Sequence, residues 1–169
     1  MNVMAPKVLG PQEGKAGSLG TISVRFMIGG AEVDERFSLV EHPMPARTLA
    51  APLHRHTLED EYSYVLEGRM GALLGDEVVL GQPGDLIFKP RGQWHTFWNP
   101  GEQPARILEI ISPAGFERFF DELVELGGVT QIEPERFVEL CARYELEMDP
   151  ASLPGLVERF DLRMPGQPA

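Results

Sequence analysis

The sequence predicts an all-β fold, a sandwich or barrel, followed by a short α-helical tail. Three observations carry this expectation. From Thr21 to Ser112 the chain is a succession of short runs rich in Val, Ile, Phe and Leu, separated by breaks containing Gly, Pro or Asp, the pattern of sandwiches and barrels. Beyond Ser112 the apolar residues recur at three and four, the helical spacing. Before Thr21, Pro6, Gly10, Pro11, Gly14, Gly17 and Gly20 give a linker-like composition with little to pack.

Residues 1–20 are accordingly expected to form a flexible arm. The strand candidates follow as TISVRFMI, ERFSLVEH, RTLAAPLHRH, EYSYVLEG, MGALLG, EVVLG, DLIFKP, HTFWNP and RILEIIS. In SPAGFERFFDELVELGG, Phe116, Phe119, Phe120, Leu123 and Val124 share one helical face. Ser112 is the expected N-cap, Pro113 lies in the first turn and Gly127 is the stop. A second helix, EPERFVELCARYELEM, opens at Pro134 and aligns Phe137, Leu140, Cys141 and Tyr144; a third short turn starts at Asp149 and Pro150. Stripes of this kind are usually core contacts, so residues 113–169 are expected to pack as a helical segment on the 21–112 β-domain or on a dimer partner.

A chain of 169 residues with 43% hydrophobic and 24% charged residues suits one globular domain. Its net charge of -11 repels phosphate backbones and anionic lipid, so neither nucleic acid nor a membrane is an expected partner. No stretch is long and apolar enough to span a bilayer. The N-terminal residues lack the apolar core of a secretory signal, which makes the cytoplasm the expected location. Cys141 is the single cysteine and sits among apolar neighbours, as a packed, inert thiol would.

Chemistry concentrates in two clusters. In PLHRHTLEDEYSYVLEG, His54 and His56 are two apart and project from one face of a strand, and Glu61 follows where the next strand can return its carboxylate to that face. Glu59 and Asp60 are neighbours that could substitute for it, but strand register favours Glu61 and leaves them as a solvated acidic turn. In GDLIFKPRGQWHTFWN, Gly84, Pro90 and Gly92 shape a turn that feeds His95 into a further strand. Imidazoles with one carboxylate suit iron, manganese, nickel, zinc or copper, whereas calcium or magnesium would want more oxygens.

These two segments resemble the paired motifs of the cupin superfamily. His54, His56, Glu61 and Gly68 fall at the intervals of the first motif, and Gly84, Pro90, Gly92, His95 and Asn99 match the second. Thr48 stands where the family pattern has its leading glycine, which questions a local turn more than the ligands. The resemblance covers roughly residues 35–112. It implies a single-domain jelly-roll β-barrel (a double-stranded β-helix) holding one divalent transition metal ion through His54, His56, Glu61 and His95, with positions left for water, oxygen or substrate. The compact layout with trailing helices resembles the quercetin-dioxygenase-like branch. Members usually pair through edge strands, which makes a homodimer the expected assembly.

The function these residues point to is a metal-dependent oxidoreductase, dioxygenase-like, acting on a small organic molecule, with Glu61 also able to take a substrate proton. The alternatives are a non-redox isomerase, lyase or decarboxylase on the same site, and a non-catalytic small-molecule-binding protein. Phe97 should share the inward face of His95, as should Ser63 and Val65 that of Glu61; Trp94, Thr96 and Trp98 alternate outward, towards helices or a second subunit, with Tyr62 and Tyr64 in the same class. His42, ahead of Pro43 and outside both motifs, reads as a surface loop residue.

Overall fold

In the computed structural model the described residues, 6–163, form two facing antiparallel sheets and three α-helices. Residues 1–5 and 164–169, the outer ends of the expected arm and helical segment, lie outside the described residues. One sheet has six strands: β1 (Ala16–Ser18), β2 (Ser23–Ile28), β3 (Ser38–Met44), β5 (Asp60–Glu67), β8 (Leu86–Lys89) and β10 (Ala105–Ser112), in the order β1-β2-β3-β10-β5-β8. The other has β4 (Leu53–His56), β6 (Met70–Leu74), β7 (Glu77–Gly81), β9 (His95–Trp98) and β11 (Leu146–Asp149), in the order β11-β4-β9-β6-β7. This is the all-β jelly roll expected, present as a two-sheet sandwich.

Period-2 alternation decides what faces inward. In β10, Ala105, Ile107, Glu109 and Ile111 are buried while Arg106, Leu108 and Ile110 between them are less so. The first core cluster lies between the sheets and runs on under α1 (Glu117–Glu125) and α2 (Pro134–Arg143), joining Val40, Val65, Ile107 and Phe97 to Phe116, Phe119 and Leu140. A second cluster forms on the outer face of the five-stranded sheet, where Leu49, Leu73 and Trp98 meet Leu156 of α3 (Leu153–Phe160). Trp98 stacks on Phe160 with centroids 4.0 Å apart, so the outward tryptophan does pack under a C-terminal helix. Gly71 permits this layer: a Cβ there would lie 2.3 Å from Trp98 Cε2.

Four local expectations are corrected. Ser112 ends β10 and its hydroxyl donates to the Arg36 carbonyl, so it does not cap a helix; α1 begins at Glu117, whose carboxylate accepts from the Gly30 and Gly115 amides. The second helix stops at Arg143, and after Glu145 (φ 49°) the chain becomes β11 rather than continuing as helix. Within the expected arm, Ala16–Ser18 pairs with Ser23–Arg25 and Leu19 is buried. His42 lies in β3 and is 1% exposed, not on a surface loop. Pro43 is tolerated there because β2 pairs with β3 only as far as Glu41, leaving Pro43 paired to Arg106 of β10 alone.

Candidate metal centre and its cavity

Two adjacent strands of one sheet present the clustered histidines and a strand of the facing sheet presents the carboxylate. His54 of β4 is the direct cross-strand partner of His95 of β9, and His56 follows two residues on, inside the same sheet. Glu61 of β5 comes from the opposite sheet. The positive φ of Gly68 (73°), which closes β5, suits glycine because Ala105 crowds the turn: a Cβ would sit 2.7 Å from the Ala105 side chain. All four site residues are buried, and one ligating atom from each falls within 4.8 Å of the others. The imidazole centroids are 4.4 Å apart for His54 and His95 and 5.5 Å for His56 and His95.

The donor set fits a transition metal. Nδ1 of His54 donates to the Pro52 carbonyl (2.8 Å) and Nδ1 of His95 to the Gln93 carbonyl (3.0 Å), which fixes the tautomer and leaves each Nε2 with its lone pair. His56 Nε2 is 3.5 Å from Glu61 Oε1, and His95 Nε2 is 3.3 Å from Glu61 Oε2. Burial lowers the His56 imidazole to about 4, and burial with the neighbouring His95 and His56 rings holds His54 well below its usual range. Imidazole nitrogens thus converge with a carboxylate, an arrangement that a bound cation would resolve. Three nitrogens and one oxygen are a borderline-soft shell suited to iron, manganese, nickel, zinc or copper.

Two charged groups here, Lys89 and Glu109, were not singled out in the sequence. Lys89 is the cross-strand partner of Glu61. Its Nζ is 2.9 Å from Glu61 Oε2 and 3.0 Å from Glu109 Oε1, and lies 4.6 Å from the Phe97 centroid. Ser63 Oγ donates to Glu109 Oε2 at 2.8 Å. Burial alone would raise the Glu61 carboxyl, but the charge of Lys89 opposes it and the carboxyl is held well below the usual carboxylate range. Burial likewise opposes the Lys89 charge, yet Glu109 and Glu61 keep it above 10.5, while Glu109 is pushed up to about 7, by burial first. Glu59, expected in a solvated turn, is 5% exposed with Oε2 3.8 Å from His56 Nδ1, and burial raises it to about 7. Asp60 does face solvent, paired to Arg91. Cys141 is buried, its thiol raised to about 11.

The cluster opens onto a cavity of about 360 Å³. Its walls are mostly apolar, with Phe97 from β9, Phe116 preceding α1, Phe120 of α1, Phe137 of α2 and Met148 of β11. Phe116 meets His56 edge-on at 4.3 Å. The helical segment therefore supplies one wall of the site as well as a layer of core. Val65 faces inward as expected, whereas Tyr62 stacks on Phe88 and Tyr64 is exposed, both away from the helices.

A buried three-histidine, one-glutamate cluster able to hold a metal ion thus lies inside a two-sheet jelly roll. Residues 41–111 match the cupin domain family, and the chain belongs to the cupin superfamily. The tetracenomycin polyketide synthase protein TcmJ of Streptomyces glaucescens is 37% identical over 91 residues, covering 54% of this chain and 61% of TcmJ. The chain thus spans about three fifths of that curated relative. The polyketide cyclase RemF from Streptomyces resistomycificus is 31% identical with a TM-score of 0.55, covering 64% of this chain and 80% of RemF. KdgF from Halomonas sp. has a TM-score of 0.59 at 16% identity, covering 68% of this chain and 99% of KdgF, a likeness of fold. Among the described residues no helix is long and apolar enough to cross a membrane.

Proposed function

We propose that the chain is a metal-dependent enzyme acting on a small, largely apolar organic molecule by proton transfer without net redox change. One divalent transition metal ion would be held by His54, His56, Glu61 and His95. The observation that carries this reading is the placement of that cluster at one end of an aromatic-walled cavity, beside a buried Lys89, Glu61 and Glu109 network. A bound ion supplies Lewis acidity that polarises a substrate carbonyl. Glu61 is the candidate base: its carboxylate takes a proton from a carbon next to a carbonyl and returns it to the oxygen of the alcohol formed when that carbon joins a second carbonyl. Lys89 keeps Glu61 anionic for the first step. The aromatic walls exclude water from the reacting carbons. Ring closure of this kind accords with the activity named for RemF.

The dioxygenase-like reading, and with it the quercetin-dioxygenase-like branch, stands second. The mixed imidazole and carboxylate shell favours it. The two readings separate on purified protein whose metal content is measured by mass spectrometry beside a His54→Ala, His95→Ala variant. About one metal ion per chain, lost in the variant, supports the site. Substrate turnover that persists without oxygen supports proton transfer, and stoichiometric oxygen uptake overturns it. We also expect a homodimer formed through the outer face of β5 and β8, where Tyr64, Leu86 and Phe88 are exposed; light scattering showing a monomer at micromolar concentration would refute it.

A further inference from the structure

The cavity has a second polar pole, remote in sequence from both histidine motifs. His42 sits on the inner face of β3, opposite Ile107 of β10, which in turn faces Val65 of β5. Glu61 lies two strands across and four residues along from that row, and the Phe97 ring links the two regions, its centroid 4.6 Å from the Nζ of Lys89, the partner of Glu61. The His42 ring is 1% exposed and forms part of the cavity wall. Phe120 meets it edge-on at 5.1 Å and Phe97 lies tilted at 6.4 Å.

The tautomer follows from one contact. Nδ1 lies 2.9 Å from the Ser23 carbonyl oxygen, which can only accept, so Nδ1 carries the proton and Nε2 the lone pair. That is the only hydrogen bond the ring makes among the described residues. Burial, reinforced by the charge of Lys89, lowers the imidazole to about 4, so the ring stays neutral. The other polar side chains along the wall are committed: Thr21 Oγ1 donates to the Ala50 carbonyl, and the Glu109 oxygens face Lys89 and Ser63. Nε2 is thus an acceptor without a protein donor on a residue of the cavity wall, and a ligand hydroxyl would satisfy it.

We propose that His42 is the second anchor for the ligand, its Nε2 accepting a hydrogen bond from a hydroxyl on an aromatic or fused-ring molecule whose opposite end reaches the histidine and glutamate cluster. This rests on the cavity being the substrate site. The rings would lie against Phe97, Phe116 and Phe120, which recognise any flat apolar surface, while His42 selects for a hydroxyl at one position and so fixes orientation.

The test uses purified, metal-quantified protein titrated by fluorescence with 2-naphthol and with 2-methoxynaphthalene, which keeps the ring and oxygen but cannot donate. Wild type should prefer the naphthol by about fivefold, the worth of one neutral hydrogen bond. His42→Phe should bring the two affinities to within about twofold with metal content unchanged, and His42→Gln, which keeps an acceptor, should retain a preference. An equal preference in wild type and His42→Phe would overturn the role of His42 while leaving the cavity as the site. Failure of both probes to bind wild type would overturn the cavity reading and this proposal together.

Discussion

Lys89 Nζ lies 2.9 Å from Glu61 Oε2, placing a buried ammonium against the one carboxylate of the histidine and glutamate cluster. Removing one partner of such a buried network leaves the others uncompensated, at a cost of about 3–5 kcal/mol. Lys89→Met should lower the midpoint of urea unfolding accordingly. Adding Glu109→Gln, which removes one of the two stranded carboxylates, should recover part of the loss.

Metal removal should destabilise the protein by mass action. An ion present at a hundredfold its dissociation constant contributes about 2.7 kcal/mol, which in a chain of this size corresponds to a drop in Tm of about 5 to 10 °C. Calorimetry before and after chelation should show that drop in wild type and its absence in the His54→Ala, His95→Ala variant.

His42 makes stability depend on pH in a definite direction. Its folded pKa, about 4, is below the ordinary 6.5, so between those values the unfolded chain binds the additional proton. Stability from this group is complete above pH 6.5 and declines as pH falls towards 4, by on the order of 3 kcal/mol. The difference in unfolding free energy between pH 7 and pH 4.5 should therefore be smaller in His42→Phe than in wild type.

Gly71→Ala should strain the layer under α3, because the new methyl would enter the Trp98 indole ring at 2.3 Å. Overpacking of this kind costs about 1–3 kcal/mol. A lower Tm with a changed tryptophan emission would show that Trp98 has been displaced from Phe160.

The convergence of His54, His56, Glu61 and His95 was legible in the sequence because histidines two apart, a carboxylate after a short interval and a further histidine in a glycine-and-proline-shaped segment are local patterns. The strand succession was legible for the same reason, and the start of α2 at Pro134 was marked by its own residue. What escaped was set by partners distant in sequence. Leu86 and Phe88 point outward in β8 while Ile87 and Lys89 point in, the reverse of the usual patterning, and only Glu61 and Glu109, on β5 and β10 of the same sheet, make that lysine tolerable. His42 was hidden by Pro43, which reads as a loop signal unless β2 is known to stop short. The second helix was expected to run on to Met148, yet its period stops at Tyr144, and the pairing of Leu146–Asp149 with β4 overrode the rest.

That last pairing bears on the order in which the molecule can be assembled. On the β9 side β4 is in register only through His54 and His95, whereas all four of its residues are paired with β11. The strand bearing two of the clustered histidines is thus clasped mainly by a segment some ninety residues further along, which leaves the ribosome well after the motif region itself. During synthesis the histidine pair would sit on an unclasped edge, so ion capture should be among the last events of folding, and a chain interrupted before Leu146 should hold the complete motif yet bind metal loosely.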